Sequence, residues 1–295
     1  MSADESTDQA AATVLGLGPM GRSLAHALIG TGRPTTVWNR TAGRAAALIE
    51  RGAKEAPTLQ AAVTASPLTI ICVLDDNAVE AILAAVDGAL AGRTLVNLTA
   101  DTPDRARRLA DWAEKHDVTY LDGAIMTPIE TIGGPDAVIL YSGPQAAFRA
   151  HEATLAQLAG TTTWLGEEPG RAASHEVALL DLFWTAMSGI VHAFALAADE
   201  GVDPATFAEG AKGIADLLPP IIDEFAGHIE SGEHPGDASS LTSAAAGMKH
   251  VIHAAHAREL DASVLEAALA IARSGVEAGH GDQSFSVLTQ RLRAS

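Results

Sequence analysis

The segment Gly16-Leu17-Gly18-Pro19-Met20-Gly21 indicates the fold of the first part of the chain. Its pattern is G-x-G-x-x-G, and it lies between an apolar run and an amphipathic helix, which is the context that a dinucleotide-binding turn requires. Gly16 permits the tight turn, Gly18 lets the backbone approach a pyrophosphate, and Gly21 lets the helix pack closely on the sheet. The helix N-terminus then faces the anion. The stretch therefore predicts a Rossmann nucleotide site, and the alternative is a β–α turn without a ligand.

The second predicted strand ends in Val37-Trp38-Asn39-Arg40-Thr41. NAD enzymes usually carry an acidic residue at this point, where it binds the ribose 2′-hydroxyl group. Asn39 is neutral and does not repel a phosphate. Arg40 and Arg44 add positive charge, and Thr41 adds a hydroxyl group. The sequence therefore predicts NADP(H) as the cofactor, unless the two arginines are merely solvated.

Strand and helix patterns alternate from this unit to about residue 165. Strands are predicted at residues 13–18, 35–39, 68–74, 94–99, 118–121, 137–141 and 161–165. Helices are predicted at residues 20–30, 42–51, 59–65, 78–86, 103–115 and 144–158. Such alternation predicts a mostly parallel sheet with helices on both faces.

The strand patterns end after Gly170. Residues 171–200 form an Ala- and Leu-rich stretch without proline, and a helix of this length spans about 45 Å, which suits a connection between two domains. Further helices are predicted at residues 204–216, 219–231, 238–258 and 261–279. The predicted division is a disordered tail at 1–11, a Rossmann domain at 12–165, an inter-domain helix at 166–200 and a helical dimerisation domain at 201–295.

Composition argues against several classes of partner. The chain has 295 residues, with 19 Lys and Arg against 37 Asp and Glu and a formal net charge of −18. Such a surface disfavours nucleic acid and anionic lipid. We expect neither a signal peptide nor an apolar run of the roughly 20 residues that span a bilayer. The single Cys72 is expected in a buried strand. We therefore expect a cytoplasmic protein without nucleic-acid or membrane partners.

Four segments carry a more specific likeness, at residues 16–21, 37–41, 96–99 and 120–126, and it continues through 141–143 and 279–281. Together they resemble the NADPH-dependent imine reductases, which are relatives of the β-hydroxyacid dehydrogenases. The resemblance implies a Rossmann domain, a long inter-domain helix and an all-α C-terminal bundle. It also implies a homodimer with exchanged helices, with the active site between the Rossmann domain of one subunit and the bundle of the other.

The resemblance also points to a catalytic position. β-Hydroxyacid dehydrogenases carry an essential Lys early in the long helix, whereas residues 170–181 of this chain contain no Lys. Counting from Gly170, the position falls on Glu176, where imine reductases often have Asp or Tyr. A carboxylate about 4 Å from an iminium cation stabilises it by about 4 kcal/mol at an effective dielectric constant of about 20. A protonated Glu176 would instead deliver the proton, and a solvated surface position is the remaining alternative.

Further site residues are assigned by the same resemblance. Leu74 and Asn97 are expected to border the cofactor, while Met126 and Thr127 line the substrate side. Trp184 is expected to wall the substrate pocket, with core packing as the alternative, and Met248 approaches the substrate from the partner bundle. No metal is expected. The full set of expected cofactor-binding residues is Gly16, Leu17, Gly18, Pro19, Met20, Asn39, Arg40, Thr41, Arg44, Leu74 and Asn97.

The expected activity is the NADPH-dependent reduction of C=N bonds in cyclic imines, and also of imines formed in reductive amination. One alternative is a β-hydroxyacid dehydrogenase or carbonyl reductase, against which the missing Lys counts. Another is a non-catalytic NADP(H)-binding regulator. The expected partners are a small imine or amine and a second copy of the chain. The sequence sets neither the physiological substrate nor the facial selectivity.

Overall fold

A computed structural model describes residues 10–86 and 88–292, without the side chain of Asp76. The predicted tail falls almost entirely on residues 1–9, which lie outside the described part. The chain forms two compact units, Met1–Asp181 and Leu182–Ser295, here called the N-terminal and C-terminal units. The division between the units falls inside the stretch predicted as the inter-domain helix.

The N-terminal unit is built on one mixed sheet. Within the described residues its strands are β1 Ala12–Leu15, β2 Thr35–Trp38, β3 Lys54–Glu55, β4 Leu68–Ile71, β5 Thr94–Asn97, β6 Thr119–Ile125, β7 Val138–Ser142 and β8 Thr161–Trp164. Their order across the sheet is β3-β2-β1-β4-β5-β6-β7-β8. Strands β1 to β6 are parallel, and β7 runs antiparallel to β6. The strand order reverses between β1 and β4, where sheets of this kind bind ligands at the carboxyl edge.

Helices cover both faces of this sheet, which confirms the predicted fold class. They are α1 Pro19–Gly30, α2 Ala46–Ile49, α3 Leu59–Thr64, α4 Asp76–Ala85, α5 Pro103–Lys115 and α6 Gln145–Leu155. On one face Leu24 of α1 and Phe148 of α6 belong to one buried cluster. On the other face Leu83 of α4 and Leu109 of α5 belong to a second cluster. The aliphatic composition of the chain therefore fills two cores, one on each side of the strands.

Two elements differ from prediction for local physical reasons. The helix predicted at residues 42–51 shrinks to α2, since Gly43 has a φ of +81° and the chain turns there. Strand β6 runs four residues beyond the predicted 118–121, because its residues from Asp122 to Ile125 pair with the antiparallel strand β7. Antiparallel pairing is not visible in the β6 sequence, so its length depends on a partner distant in sequence.

One helix, α7, runs from Arg171 to Asp199 without interruption and continues from the N-terminal into the C-terminal unit. Its described buried residues, Ala172, Ala173 and Glu176, all lie near its start. Among the described residues of the C-terminal unit, four α-helices follow: α8 Pro204–Ala215, α9 Leu218–Ser231, α10 Leu241–Ala257 and α11 Ser263–Gly275. A small core joins the last two helices to the C-terminal segment, with Leu241, Ala272 and Val287 buried in it.

Helix α7 corrects the expectation that no apolar run is long enough to span a bilayer. It has 29 residues, and its mean hydropathy reaches 1.5 over an 18-residue window. A single helix of this kind is weak evidence for a membrane, because core helices of soluble proteins have the same length and composition. Leu182, Phe183 and Val191 on α7 are more than half exposed. Several exposed apolar side chains along one helix are typical of an interaction surface.

Candidate active site

A cleft of about 670 Å³ opens where strands β1, β2 and β4 end. This edge of the sheet is the switch point, so the loops after the three strands converge there. Ten of the eleven predicted cofactor residues line the cleft: Gly16, Leu17, Gly18, Pro19, Met20, Asn39, Arg40, Thr41, Arg44 and Leu74. The cleft thus brings together residues that are up to 58 positions apart in the sequence, as the span from Gly16 to Leu74 shows.

The glycine turn leaves little space for a side chain toward the sheet and much space toward the cleft. Gly16 has a φ of +94°, and a Cβ atom there would lie 2.2 Å from the carbonyl oxygen of Cys72. A Cβ on Gly21 would lie 1.9 Å from the carbonyl oxygen of Gly16. At Gly18, in contrast, no described atom lies within 4 Å of the corresponding position. The open space in front of the α1 N-terminus fits a pyrophosphate group.

The side chain of Asn39 connects two loops of the cleft. Its Oδ1 accepts a hydrogen bond from the backbone N–H of Leu17 at 2.9 Å. Its Nδ2 donates to the carbonyl oxygen of Thr41 at 2.9 Å. An aspartate here could accept the first bond, but it could not donate the second and would add a negative charge. The amide therefore holds the glycine turn while it keeps this part of the cleft neutral.

Positive charge borders the outer part of the cleft. Arg40, Thr41 and Arg44 are exposed and line it. A second cavity of about 470 Å³ adjoins them, and Arg40 lines this cavity too. Guanidinium groups bind phosphate oxygens with paired hydrogen bonds. These residues therefore fit the 2′-phosphate that distinguishes NADP(H) from NAD(H).

Glu176 is buried near the start of α7, with only 6% of its surface exposed. The backbone N–H of Asp101, in the loop after β5, donates a hydrogen bond to its carboxylate. Burial and, to a smaller extent, the negative charge of Asp101 raise the pKa of Glu176 to about 7. The alternative of a solvated surface residue is therefore wrong for this position.

A second buried carboxyl group, that of Asp122 on β6, lies close to Glu176. Its Oδ2 accepts a hydrogen bond from the backbone N–H of Ala173 at 3.2 Å, and Tyr120 Oη donates to its Oδ1 at 3.1 Å. Burial is the main cause that raises the pKa of Asp122 to about 7, and the charges of Glu176 and Asp101 add to it. We call Asp101, Asp122 and Glu176 the acid cluster.

Sequence reasoning missed the acid cluster apart from Glu176. A signal was present, because Asp122 lies in a strand that is otherwise apolar or aromatic from Tyr120 to Ile125. A charged residue in a buried strand needs a partner or a raised pKa. The identity of that partner depends on the start of α7, which lies about fifty residues further along the chain.

Asn97, the eleventh predicted cofactor residue, lies beside the acid cluster. It is the last residue of β5 and pairs with Asp122 across the β5–β6 ladder. Its Oδ1 accepts the backbone N–H of Thr99 at 3.1 Å, and its side chain hydrogen-bonds the hydroxyl group of Tyr120. Two strand spacings of about 4.8 Å, or about 10 Å, separate β1 from β5, a distance that an extended dinucleotide can span.

The predicted substrate residues are divided between the two units. Met126 and Thr127 follow β6 and are half-buried, and the hydroxyl groups of Thr127 and Thr131 are hydrogen-bonded. Trp184 and Met248 belong to the C-terminal unit, where Trp184 is 62% exposed and Met248 packs against a small core. Among the residues described, no group of three His, Cys, Asp or Glu side chains is placed to hold a metal ion.

Comparison with protein families divides the chain into two matching parts. Residues 11–166 match the family described as the NAD binding domain of 6-phosphogluconate dehydrogenase. Residues 168–294 match the family described as NADPH-dependent reductive aminase-like, C-terminal domain. The boundary between the two matches lies just before α7.

Individual relatives match along almost the whole chain. An NADPH-dependent reductive aminase of Aspergillus oryzae is 36% identical over 288 residues, which cover 95% of this chain and 96% of that protein. The structure of an imine reductase from Myxococcus stipitatus in complex with NADP+ superposes with a TM-score of 0.91 at 33% identity, covering 96% of this chain and 100% of the other. A reductive aminase from Aspergillus terreus in complex with NADPH4, cyclohexanone and allyl amine gives a TM-score of 0.90 at 35% identity, with coverages of 97% and 100%.

Proposed function

The chain belongs to the family of NADPH-dependent imine reductases and reductive aminases, and from this premise we propose that it reduces C=N bonds with Glu176 as the proton donor. Its cofactor is NADP(H). The proposed substrates are cyclic imines and imines formed from a carbonyl compound and an amine. The observation that carries the proposal is the buried Glu176 carboxyl group at the start of α7, whose pKa lies near neutrality.

The cofactor position follows from the cleft. We propose that the pyrophosphate lies before Gly18 and the α1 N-terminus, that Arg40 and Arg44 hold the 2′-phosphate, and that Leu74 borders the chain of the cofactor. The nicotinamide end then reaches Asn97 at the end of β5. When bound there, NADPH supplies the hydride that reduces the carbon of the C=N bond.

The protein supplies the proton for the imine nitrogen and the negative charge that stabilises the iminium ion. A neutral imine accepts hydride poorly, because negative charge develops on its nitrogen, whereas an iminium ion accepts it well. We propose that protonated Glu176 transfers its proton to the imine nitrogen, which leaves a carboxylate beside an iminium cation. A group with a pKa of about 7 is suited to this transfer at neutral pH, because it holds its proton there yet releases it readily. The two roles that the sequence left open, proton donor and electrostatic stabiliser, then become consecutive.

Turnover of a simple imine tests the function. NADPH absorbance would be followed with 2-methyl-1-pyrroline as substrate, and in parallel with a β-hydroxyacid and NADP+. We expect imine-dependent NADPH oxidation and no oxidation of the hydroxyacid. The reverse pattern would indicate a hydroxyacid dehydrogenase, and cofactor binding without turnover of either substrate would indicate a regulator.

Replacement of the two arginines tests the phosphate site. In Arg40→Ala/Arg44→Ala the ratio of kcat/KM for NADPH to that for NADH should fall at least about tenfold, because charge-assisted bonds to the phosphate are lost. Arg108→Ala, an exposed arginine on α5, is the matched control and should leave the ratio unchanged. An unchanged ratio in the double variant would show that the two arginines are only solvated.

The proposed assembly is a homodimer. The support is a set of apolar side chains on α7, α8, α9 and the turn between α8 and α9 that are more than half exposed: Leu182, Phe183, Trp184, Val191, Ile214, Leu217, Ile222 and Ile229. Helices α8 and α9, described in full, contain no buried residue. A second copy would cover this surface and would bring the partner's Trp184 and the partner's Met248 toward the substrate.

Dilution tests the dimer. Specific activity should fall as the protein is diluted below its dimer dissociation constant, in parallel with the molar mass from light scattering. Full activity at the monomer mass would contradict an active site shared between subunits.

For the compartment we propose the cytoplasm, where a free buried thiol such as that of Cys72 persists.

A further inference from the structure

Glu176 lies close to a second carboxylic acid, Asp122 on strand β6. Asp122 is 3% exposed and extends from β6 to the first turn of α7. Its carboxyl group accepts a hydrogen bond from the backbone N–H of Ala173. Ala173 lies three residues before Glu176, so Ala173 and Glu176 are on the same side of the helix. We propose that Asp122 is a positioning residue, whose carboxyl group fixes the first turn of α7, which carries Glu176, and interacts with the carboxyl group of Glu176 by charge. The inference rests on the proposed function of Glu176.

Hydrogen bonds hold Asp122 from several directions. Tyr120 Oη donates to its Oδ1 at 3.1 Å, and the side chain of Asn97 hydrogen-bonds Tyr120 in turn. Asn97 is fixed by the backbone N–H of Thr99 at 3.1 Å. A row of contacts therefore connects the end of β5, where the nicotinamide is proposed to lie, with the first turn of α7.

Charge couples the members of the acid cluster. The negative charge of Glu176 is one of the causes that raise the pKa of Asp122. The interaction is mutual, so either carboxyl group, when ionised, favours the proton on the other. Asp101 adds a third negative charge from the loop after β5. Arg105 on α5 is the basic group that faces this loop, with its Nε 3.9 Å from Asp101 Oδ2 and its Nη2 2.8 Å from Glu80 Oε1.

The same turn of α7 offers a control without charge. Ser142, at the end of β7, accepts the backbone N–H of Ala172 at 3.0 Å and donates to the carbonyl oxygen of Pro169 at 2.7 Å. Ser142 and Asp122 are cross-strand partners and bond to successive N–H groups of one helix. Loss of Ser142 therefore removes a helix cap and keeps the carboxyl pair, whereas Asp122→Asn keeps the shape and removes the ionisation.

The experiment is a ¹³C NMR titration of the cofactor-free protein with labelled glutamate carboxyl groups. The Glu176 signal would be assigned by its loss in Glu176→Gln. In Asp122→Asn we expect its midpoint to fall by about one pH unit, because a like charge has been removed. In Ser142→Ala the midpoint should stay within about 0.2 units, since no charge changes. An unmoved midpoint in Asp122→Asn, or an equal fall in Ser142→Ala, would overturn the inference.

A second variant covers the case in which Asp122→Asn does not fold. Tyr120→Phe keeps all three carboxyl groups and removes the phenol that stabilises ionised Asp122. Asp122 then remains neutral to higher pH, so the Glu176 midpoint should also fall, though less than in Asp122→Asn. A midpoint that rises or stays in place in Tyr120→Phe would contradict the coupling.

Kinetics then separate this inference from the proposed function. In the active enzyme the limb of the kcat/KM profile that disappears in Glu176→Gln should move to lower pH in Asp122→Asn, in the same direction as the NMR midpoint, because kcat/KM reports ionisations of the free enzyme. If the midpoint moves but the wild-type protein reduces no imine, the proposed function fails and the coupling stands. If the wild-type protein reduces imines but the midpoint does not move, the coupling fails alone.

Discussion

Two helices of the N-terminal unit use their first turns in opposite ways. Helix α1 begins at Pro19 after Gly18, and among the described side chains none caps it. Helix α7 begins with two N–H groups bonded to the protein's own side chains, Ala172 to Ser142 and Ala173 to Asp122. Both turns carry the partial positive charge of a helix N-terminus.

The difference is that the start of α1 is open to a bound ligand, whereas the start of α7 is occupied by charged and polar side chains of the protein. At α1 the N-terminal groups face a cleft and are available to a phosphate from outside. At α7 a carboxylate of the protein already bonds to them, and a second carboxyl group, that of Glu176, lies on the next turn. The first arrangement binds an anion, and the second places a proton where a cation is proposed to form. Four predictions test this contrast.

The largest effect is expected at the acid cluster itself. Glu176→Gln should lower kcat at least about 100-fold, the usual scale for loss of a general acid. The dissociation constant for NADPH should change little, because the residue lies outside the cleft lining. Turnover of 2-methyl-1-pyrroline and fluorescence titration with NADPH measure the two quantities. Asp181→Asn, an exposed carboxylate on the same helix, is the control, and an equal loss there would show a general effect of charge on α7.

The same substitution should stabilise the fold above neutral pH. Glu176 has a pKa of about 7 in the folded protein against 4.5 in a model peptide, so the folded state binds more protons between these values. Folding stability is therefore lost as pH rises from about 4.5 to 7, and Gln does not titrate. We expect Glu176→Gln to raise the free energy of unfolding by about 2–3 kcal/mol at pH 8 and by almost nothing at pH 4. Urea unfolding at the two pH values measures this, and an equal gain at both would contradict the assignment.

A smaller loss of stability is expected from the uncharged cap of α7. Ser142→Ala leaves the N–H of Ala172 and the carbonyl oxygen of Pro169 without this buried partner. Unsatisfied buried groups cost about 1–3 kcal/mol, and we expect about 1.5 kcal/mol at every pH. Because Ser142 has no ionisable group, the loss of stability should not depend on pH. A pH-dependent loss in urea unfolding would contradict the distinction between the Ser142 and Asp122 caps.

The smallest effect is expected at the open helix start. Gly18→Ala places a methyl group in free space, so the melting temperature should stay almost constant. The methyl group should obstruct the approach of the pyrophosphate and raise the KM for NADPH about tenfold, or about 1.4 kcal/mol. Gly30→Ala, at the other end of α1 and equally unobstructed, is the matched control. An unchanged KM in Gly18→Ala would mean that the phosphate lies elsewhere.

Much of the fold and the nucleotide cleft follow from local properties of the sequence. The glycine turn, the residue that ends β2 and the alternation of strands and helices act over fewer than about thirty residues. Nine of the ten predicted cofactor residues that line the cleft consequently lie between Gly16 and Arg44, and Leu74 joins them from the loop after β4. Position 176 was found through family resemblance, because nothing in the spacing of α7 distinguishes Glu176 from a solvated residue.

Neighbouring residues set the two-part architecture and the nucleotide cleft, because hydrophobic periodicity and turn chemistry act over short stretches of the chain. The burial of Glu176 and the position of Asn97 beside the acid cluster depend on the tertiary structure. The tertiary structure also brings Asp122, a residue of a strand, into a hydrogen bond with the first turn of a helix fifty-one positions away. The physical reason is that burial and electrostatic coupling depend on distance in space. Residues 101, 122 and 176 meet only after the sheet has assembled and α7 has packed against it.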